Sequence, residues 1–119
     1  MEELRQQQIE ALQVAHEYTE RLIKGIENVS AELSGARKLD TDAYLKEVIN
    51  GLNWVIEIVN RTMDIINEDG VCIDKAAVNS NVVSLGEALK KNDDAAIAAE
   101  LSGNILSFVK DVWKATEKF

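Results

Sequence analysis

YLKEVINGLNWVIEIVNRTMDIIN, Tyr44 to Asn67, decides the fold. Leu45, Val48, Leu52, Val55, Val59, Thr62 and Ile66 recur at alternating spacings of three and four. An α-helix turns once in about 3.6 residues, so these side chains form one stripe. It is the seam of a helix packed lengthwise against other helices. Ile49, Ile56 and Met63 flank one side of it, and Tyr44, Ile58 and Ile65 the other. A face this wide suits a helix with two neighbours. Trp54 lies beyond even that face, among Lys46, Asn50, Asn53, Glu57, Asn60, Arg61 and Asp64. The stripe accounts for folding; the off-register tryptophan marks a place where the protein can be touched.

The same reading extends outward. A first helix is expected from about Glu2 to Leu33, with the seam Leu12, Ala15, Thr19, Leu22, Ile26, Val29 and Leu33. Continued backward, that register meets Arg5 and Gln8, so residues 1–11 read as a helical extension outside the core. Gly35 stops the helix. Asp40 is placed to cap the second helix, and Asp42 suits its positive end. That helix is expected to run to about Glu68, before a turn at Asp69-Gly70. Val71, Cys72 and Ile73 form an apolar link expected to tuck beneath the bundle end. Asp74 caps a third helix with the seam Val78, Val82, Leu85 and Leu89, closed by Lys90-Lys91-Asn92. Asp93 or Asp94 caps a fourth, with the seam Ala98, Leu101, Ile105, Phe108, Val112, Ala115 and Phe119.

Three seams, over residues 12–33, 45–66 and 98–119, each span about 33 Å of helix, and the third spans only about 18 Å. Short connectors favour antiparallel neighbours. The expected fold is therefore all-α: an antiparallel up-down four-helix bundle with a short third helix, one domain over residues 1–119. The short helix leaves part of the bundle to be closed by the 67–77 link, closed by a partner, or left as a groove.

Proline is absent and glycine numbers only six, which fits long uninterrupted helices. Net charge is −8, spread along the chain. Such a surface repels nucleic acid and anionic membranes, so neither is an expected partner. No apolar run reaches the ~20 residues that span a bilayer, and the start is too polar for a signal peptide. The single cysteine, Cys72, rules out an internal disulfide and suits a reducing compartment. A cytoplasmic location is expected.

Chemistry is sparse. Nucleophilic catalysis needs a base held beside the nucleophile. The one histidine, His16, and the one cysteine lie on different elements, where His16 reads as a half-buried structural residue and Cys72 as a small apolar filler. A di-metal carboxylate bundle needs Glu-x-x-His on two helices, and here Gln13 stands three residues before His16. No catalytic residue, cofactor or metal is expected on this reading. One enzymatic alternative stands beside it. Glu17-Tyr18-Thr19-Glu20 resembles the Glu-x-x-Glu of all-α nucleotide pyrophosphatases, whose next helix carries Glu-x-x-Asp. Glu47-Val48-Ile49-Asn50 has that second spacing, with Asn50 where the carboxylate belongs. The alternative is thus a metal-dependent hydrolase using Glu17, Glu20 and Glu47.

Apolar residues beyond the seams carry the remaining signal. Leu106, Val109 and Trp113 form a second stripe on the fourth helix. With Trp54, they form the expected interface, for a second copy of the chain or for a protein partner. The run from Leu85-Gly86-Glu87-Ala88-Leu89 through Asp93-Asp94 to Trp113 is similar to the last two helices of small uncharacterised helical proteins of Gram-positive bacteria. That resemblance implies a bundle and no established activity. The chain also resembles flagellar export chaperones in architecture, as a small acidic helical bundle, without the Asn-Pro-Tyr opening of one such chaperone family. The favoured function is a non-catalytic interaction module, an adaptor or chaperone-like bundle that self-associates.

Overall fold

The seams become helices in a computed structural model that describes residues 2–70 and 73–119. In order these are α1 (Glu2–Leu33), α2 (Thr41–Arg61), α3 (Met63–Ile66), α4 (Lys75–Lys90), α5 (Asp94–Glu100) and α6 (Leu106–Thr116). A π-helical turn, Leu101–Ile105, joins α5 to α6 without a break in helical backbone. No strand occurs among the described residues. At a rise of about 1.5 Å per residue, the 32 residues of α1 match the 48 Å long axis of the molecule. That helix is the spine. It packs on α2 and on the α5–π–α6 rod, while α4 has α5 and the π turn as its principal neighbours.

Every α1 seam residue from Leu12 to Leu33 is buried, as are Val48, Leu52, Val55, Val59, Thr62 and Ile66. Each fully buried aliphatic contributes roughly 1.5–3 kcal/mol relative to exposure. The α4 seam is shifted from its expected register. Val82 is 38% exposed, and the buried stripe runs through Val78, Leu85 and Ala88, with Asn81 half-buried between them. The cause is one-sided packing: α4 faces the α5–π rod, which rotates its contact stripe off Val82.

The second helix is interrupted earlier than its periodicity suggests. The Thr62 hydroxyl donates to the Ile58 carbonyl at 2.7 Å, competing with the backbone ladder, and the chain bends there before α3. Within the fourth helix, the Ser102 hydroxyl donates in the same way to the Ala98 carbonyl at the start of the π turn. Asp74 and Asp93 cap α4 and α5, accepting from Ala76 N and from Ala95 N and Ala96 N respectively. Asp40 makes no such bond. The neighbouring Thr41 hydroxyl ties the connector to α1 instead, accepting from Lys38 N at 2.7 Å and donating to the buried Glu32 at 2.8 Å. Gly35 and Asn92 adopt positive φ beyond α1 and α4, as helix-ending residues do.

Ion pairs gather where helices meet connectors. Arg37, between α1 and α2, holds Asp94 at the start of α5 and Asp42 in α2. Hydrogen bonding from Arg37 keeps the Asp94 carboxyl below the usual range, and the two carboxylates push Arg37 further up, Asp94 the more strongly. Arg5 grips Glu68 through two bonds of 3.0 Å, and Lys118 reaches Asp69. Residues 3–7 are thus helical and exposed yet tethered beyond α3. Gln8 and Gln13 donate to the carbonyls of Arg61 and Phe119. Ile73, expected to tuck beneath the bundle end, is buried and clasped on both its N–H and its carbonyl by the Asn67 side chain. Val71 and Cys72, expected to share that role, lie outside the described residues. No helix among the described residues is long and apolar enough to cross a membrane.

Candidate functional site

Trp54 projects from α2 and remains 38% exposed. Its indole meets Tyr18 of α1 edge to face, with ring centroids 5.3 Å apart and planes at 83°. Tyr18 can lie against α2 because Gly51 presents no side chain. A Cβ on Gly51 would stand 2.8 Å from Tyr18 Cζ. Val14, one turn before Tyr18 on the same face of α1, is 54% exposed. Together Val14, Tyr18, Gly51 and Trp54, with Glu47 and Asn50 at the rim, line a groove of about 440 Å³. The companions of Trp54 are therefore on α1, not on the fourth helix. Val14 was legible as an apolar residue off the α1 seam with Tyr18 at i+4. Gly51, in mid-helix, was the signal for a close approach.

The fourth-helix stripe divides. Val109 is 0% exposed, which corrects its place in the expected interface. Phe108 and Val109 are both inside, as are Ala115 and Thr116, so the buried stripe of α6 is two residues wide and includes it. Leu106 and Trp113 stay half-buried and line a cleft of about 630 Å³ between α1 and the π–α6 segment. Ile23 of α1 faces the same cleft, with charged residues from both helices around it. This cleft and the Trp54 groove share no lining residue.

His16 is held at the edge of α6. Its Nδ1 lies 3.0 Å from the Trp113 carbonyl and 3.0 Å from Thr116 Oγ1. A carbonyl only accepts, so Nδ1 carries the proton and donates. The Thr116 hydroxyl in turn donates to Val112 O at 2.7 Å. The imidazole stacks on Trp113 at 5.4 Å and 14°. This arrangement fixes the orientation of Trp113 beside the cleft, and it occupies the ring nitrogen that faces the protein.

The three carboxylates of the hydrolase alternative are dispersed. Glu20 lines the α1–α6 cleft, Glu47 lines the Trp54 groove, and Glu17 is exposed outside both. Among the described residues, no three His, Cys, Asp or Glu side chains come together as a metal ion would require.

Residues 10–115 match the family model described as a domain of unknown function, DUF8042, and the chain belongs to that family. No curated protein and no solved structure matches it.

Proposed function

We propose that this DUF8042 domain is a non-catalytic interaction module: a small cytoplasmic adaptor or chaperone-like protein, built as an antiparallel up-down four-helix bundle, that self-associates and holds an amphipathic helix of a protein partner. The ties at the helix ends support the bundle reading. Arg37 joins the α1–α2 connector to the start of α5, and Arg5 near the start of α1 joins the turn after α3. The observation that carries the function is the Trp54 groove. An exposed tryptophan braced by Tyr18, which itself rests on the buried Gly51, and set beside an exposed valine is the kind of anchor that apolar helix faces bind. The separation of Glu20 from Glu47 weighs against the hydrolase alternative.

The test is a pull-down from native cytosol with wild type, Trp54→Glu and Glu20→Gln in parallel. A partner retained by wild type and Glu20→Gln and lost with Trp54→Glu is the expected result. A calorimetric magnesium titration showing a saturable site that Glu20→Gln abolishes overturns the proposal in favour of the hydrolase.

A further inference from the structure

The charges that line the α1–α6 cleft balance, in a chain that is acidic as a whole. Its rim carries three acids, Glu20, Glu27 and Asp111, and three lysines, Lys24, Lys110 and Lys114. They cancel, so the entire −8 of the chain lies elsewhere. All six are exposed, and none pairs with another charge among the described residues. Along α1 the order is acid, lysine, acid; along α6 it is lysine, acid, lysine. Between the two rows lie Ile23, Leu106 and Trp113. An apolar floor with an unpaired polar rim is the anatomy of a contact surface.

We infer that this cleft is where two copies of the chain associate, face to face about a two-fold axis. The inference rests on the reading of the chain as an interaction module. The charge pattern selects the occupant. A basic partner is drawn to the acidic remainder of the surface, not to a neutral rim. A second copy brings equal numbers of both signs, and a two-fold axis sets residue i against j and j against i, so each acid can meet a lysine. Because its own charges cancel, two chains of net charge −8 can also approach on this face without local like-charge repulsion. The π turn and α6 from Ser102 to Lys114 extend about 20 Å, and two helices side by side are about 20 Å wide. That footprint lies at the small end for protein interfaces, so the dimer is a transient one.

The test uses two charge-converted chains. In one, Lys24, Lys110 and Lys114 become Glu; in the other, Glu20, Glu27 and Asp111 become Lys. Each is measured alone and in equimolar mixture by light scattering coupled to size exclusion, at roughly 0.5 mM so that a weak interface is populated. Circular dichroism verifies the fold, which six exposed, unpaired side chains do not support. Wild type is expected to reach towards twice the 13.2 kDa monomer mass. Each converted chain stays at the monomer mass, and the mixture regains the dimer. Trp54→Glu, in the other groove, leaves the dimer unchanged. A monomeric wild type, a converted chain that still dimerises alone, or a mixture that stays monomeric overturns the inference. A monomeric wild type would also remove self-association from the proposed function, whereas none of those results touches partner capture through Trp54, which stands or falls on its own experiment.

Discussion

Replacing Gly51 with alanine should reverse the sign of its effect on stability according to what stands at position 18. The Tyr18 ring lies over Gly51, and a Cβ there would sit 2.8 Å from Cζ and 3.1 Å from Cε2, besides colliding with the hydroxyl. Real Cβ contacts are not that close, so the ring must leave α2. Overpacking of this kind costs about 1–3 kcal/mol. Displacing the ring also forfeits the edge contact with Trp54, a contribution of about 0.5–1.5 kcal/mol. Against this, alanine is the better helix former by about 1 kcal/mol. The net expectation for Gly51→Ala is a loss of about 2 kcal/mol. In a Tyr18→Ala background only the helical preference remains, and the same change should stabilise by about 1 kcal/mol. A double-mutant cycle then gives a coupling of about 3 kcal/mol, well above the few tenths expected of independent sites. Urea unfolding followed by circular dichroism measures all four chains. If Gly51→Ala stabilises equally in both backgrounds, Tyr18 does not rest on Gly51, and the support described for Trp54 is wrong.

Two further outcomes follow from buried and paired groups. Val109→Ala removes two carbon atoms from a site with no exposure, and should cost about 2 kcal/mol in a urea titration, where a surface position would cost under about 0.5 kcal/mol. Asp94 is held below its ordinary range by Arg37, so its folded-state pKa is the lower one. The stabilisation it contributes is complete above the unfolded value of about 4 and is lost as pH falls through the folded value. Melting temperature measured against pH should fall on that acid limb, and Arg37→Gln should flatten it; the effect is modest and salt-sensitive because the pair is exposed.

The core was legible because it is periodic. The α1 seam is buried at every position predicted, and the 45–66 seam at all but the half-buried Leu45. What periodicity could not supply is rotation and interruption. Val82 and Asn81 are adjacent, and only the placement of α4 against the α5–π rod decides which of them turns inward. Thr62 fits the seam as a small residue, and the same hydroxyl that lets it be buried also bends the chain. Val109 read as a flank residue because a single stripe was assumed, whereas α6 buries two residues per turn. The Trp54 groove was half visible. Its tryptophan stood out against a polar face, but Tyr18 and Gly51 meet only when α1 and α2 are side by side, a relation between elements that no spacing within one of them contains.

The placement of charge bears on why the flanks, and not the ends, are available for contact. Arg5, Arg37 and Lys118 each tie one connector or terminus to another, where fixing chain direction matters most. The six charges of the α1–α6 cleft lie at mid-length, where the buried seam already holds the helices together. An exposed pair contributes only about 0–1 kcal/mol to a fold, so leaving these side chains unpaired weakens the monomer little. Across an interface the same charges select partner and register, because a mismatch of like signs is penalised there. The helical core therefore frees its mid-length surface from any duty in stability. The balanced rim around Leu106 and Trp113 lies on that freed surface, in a chain that is otherwise acidic.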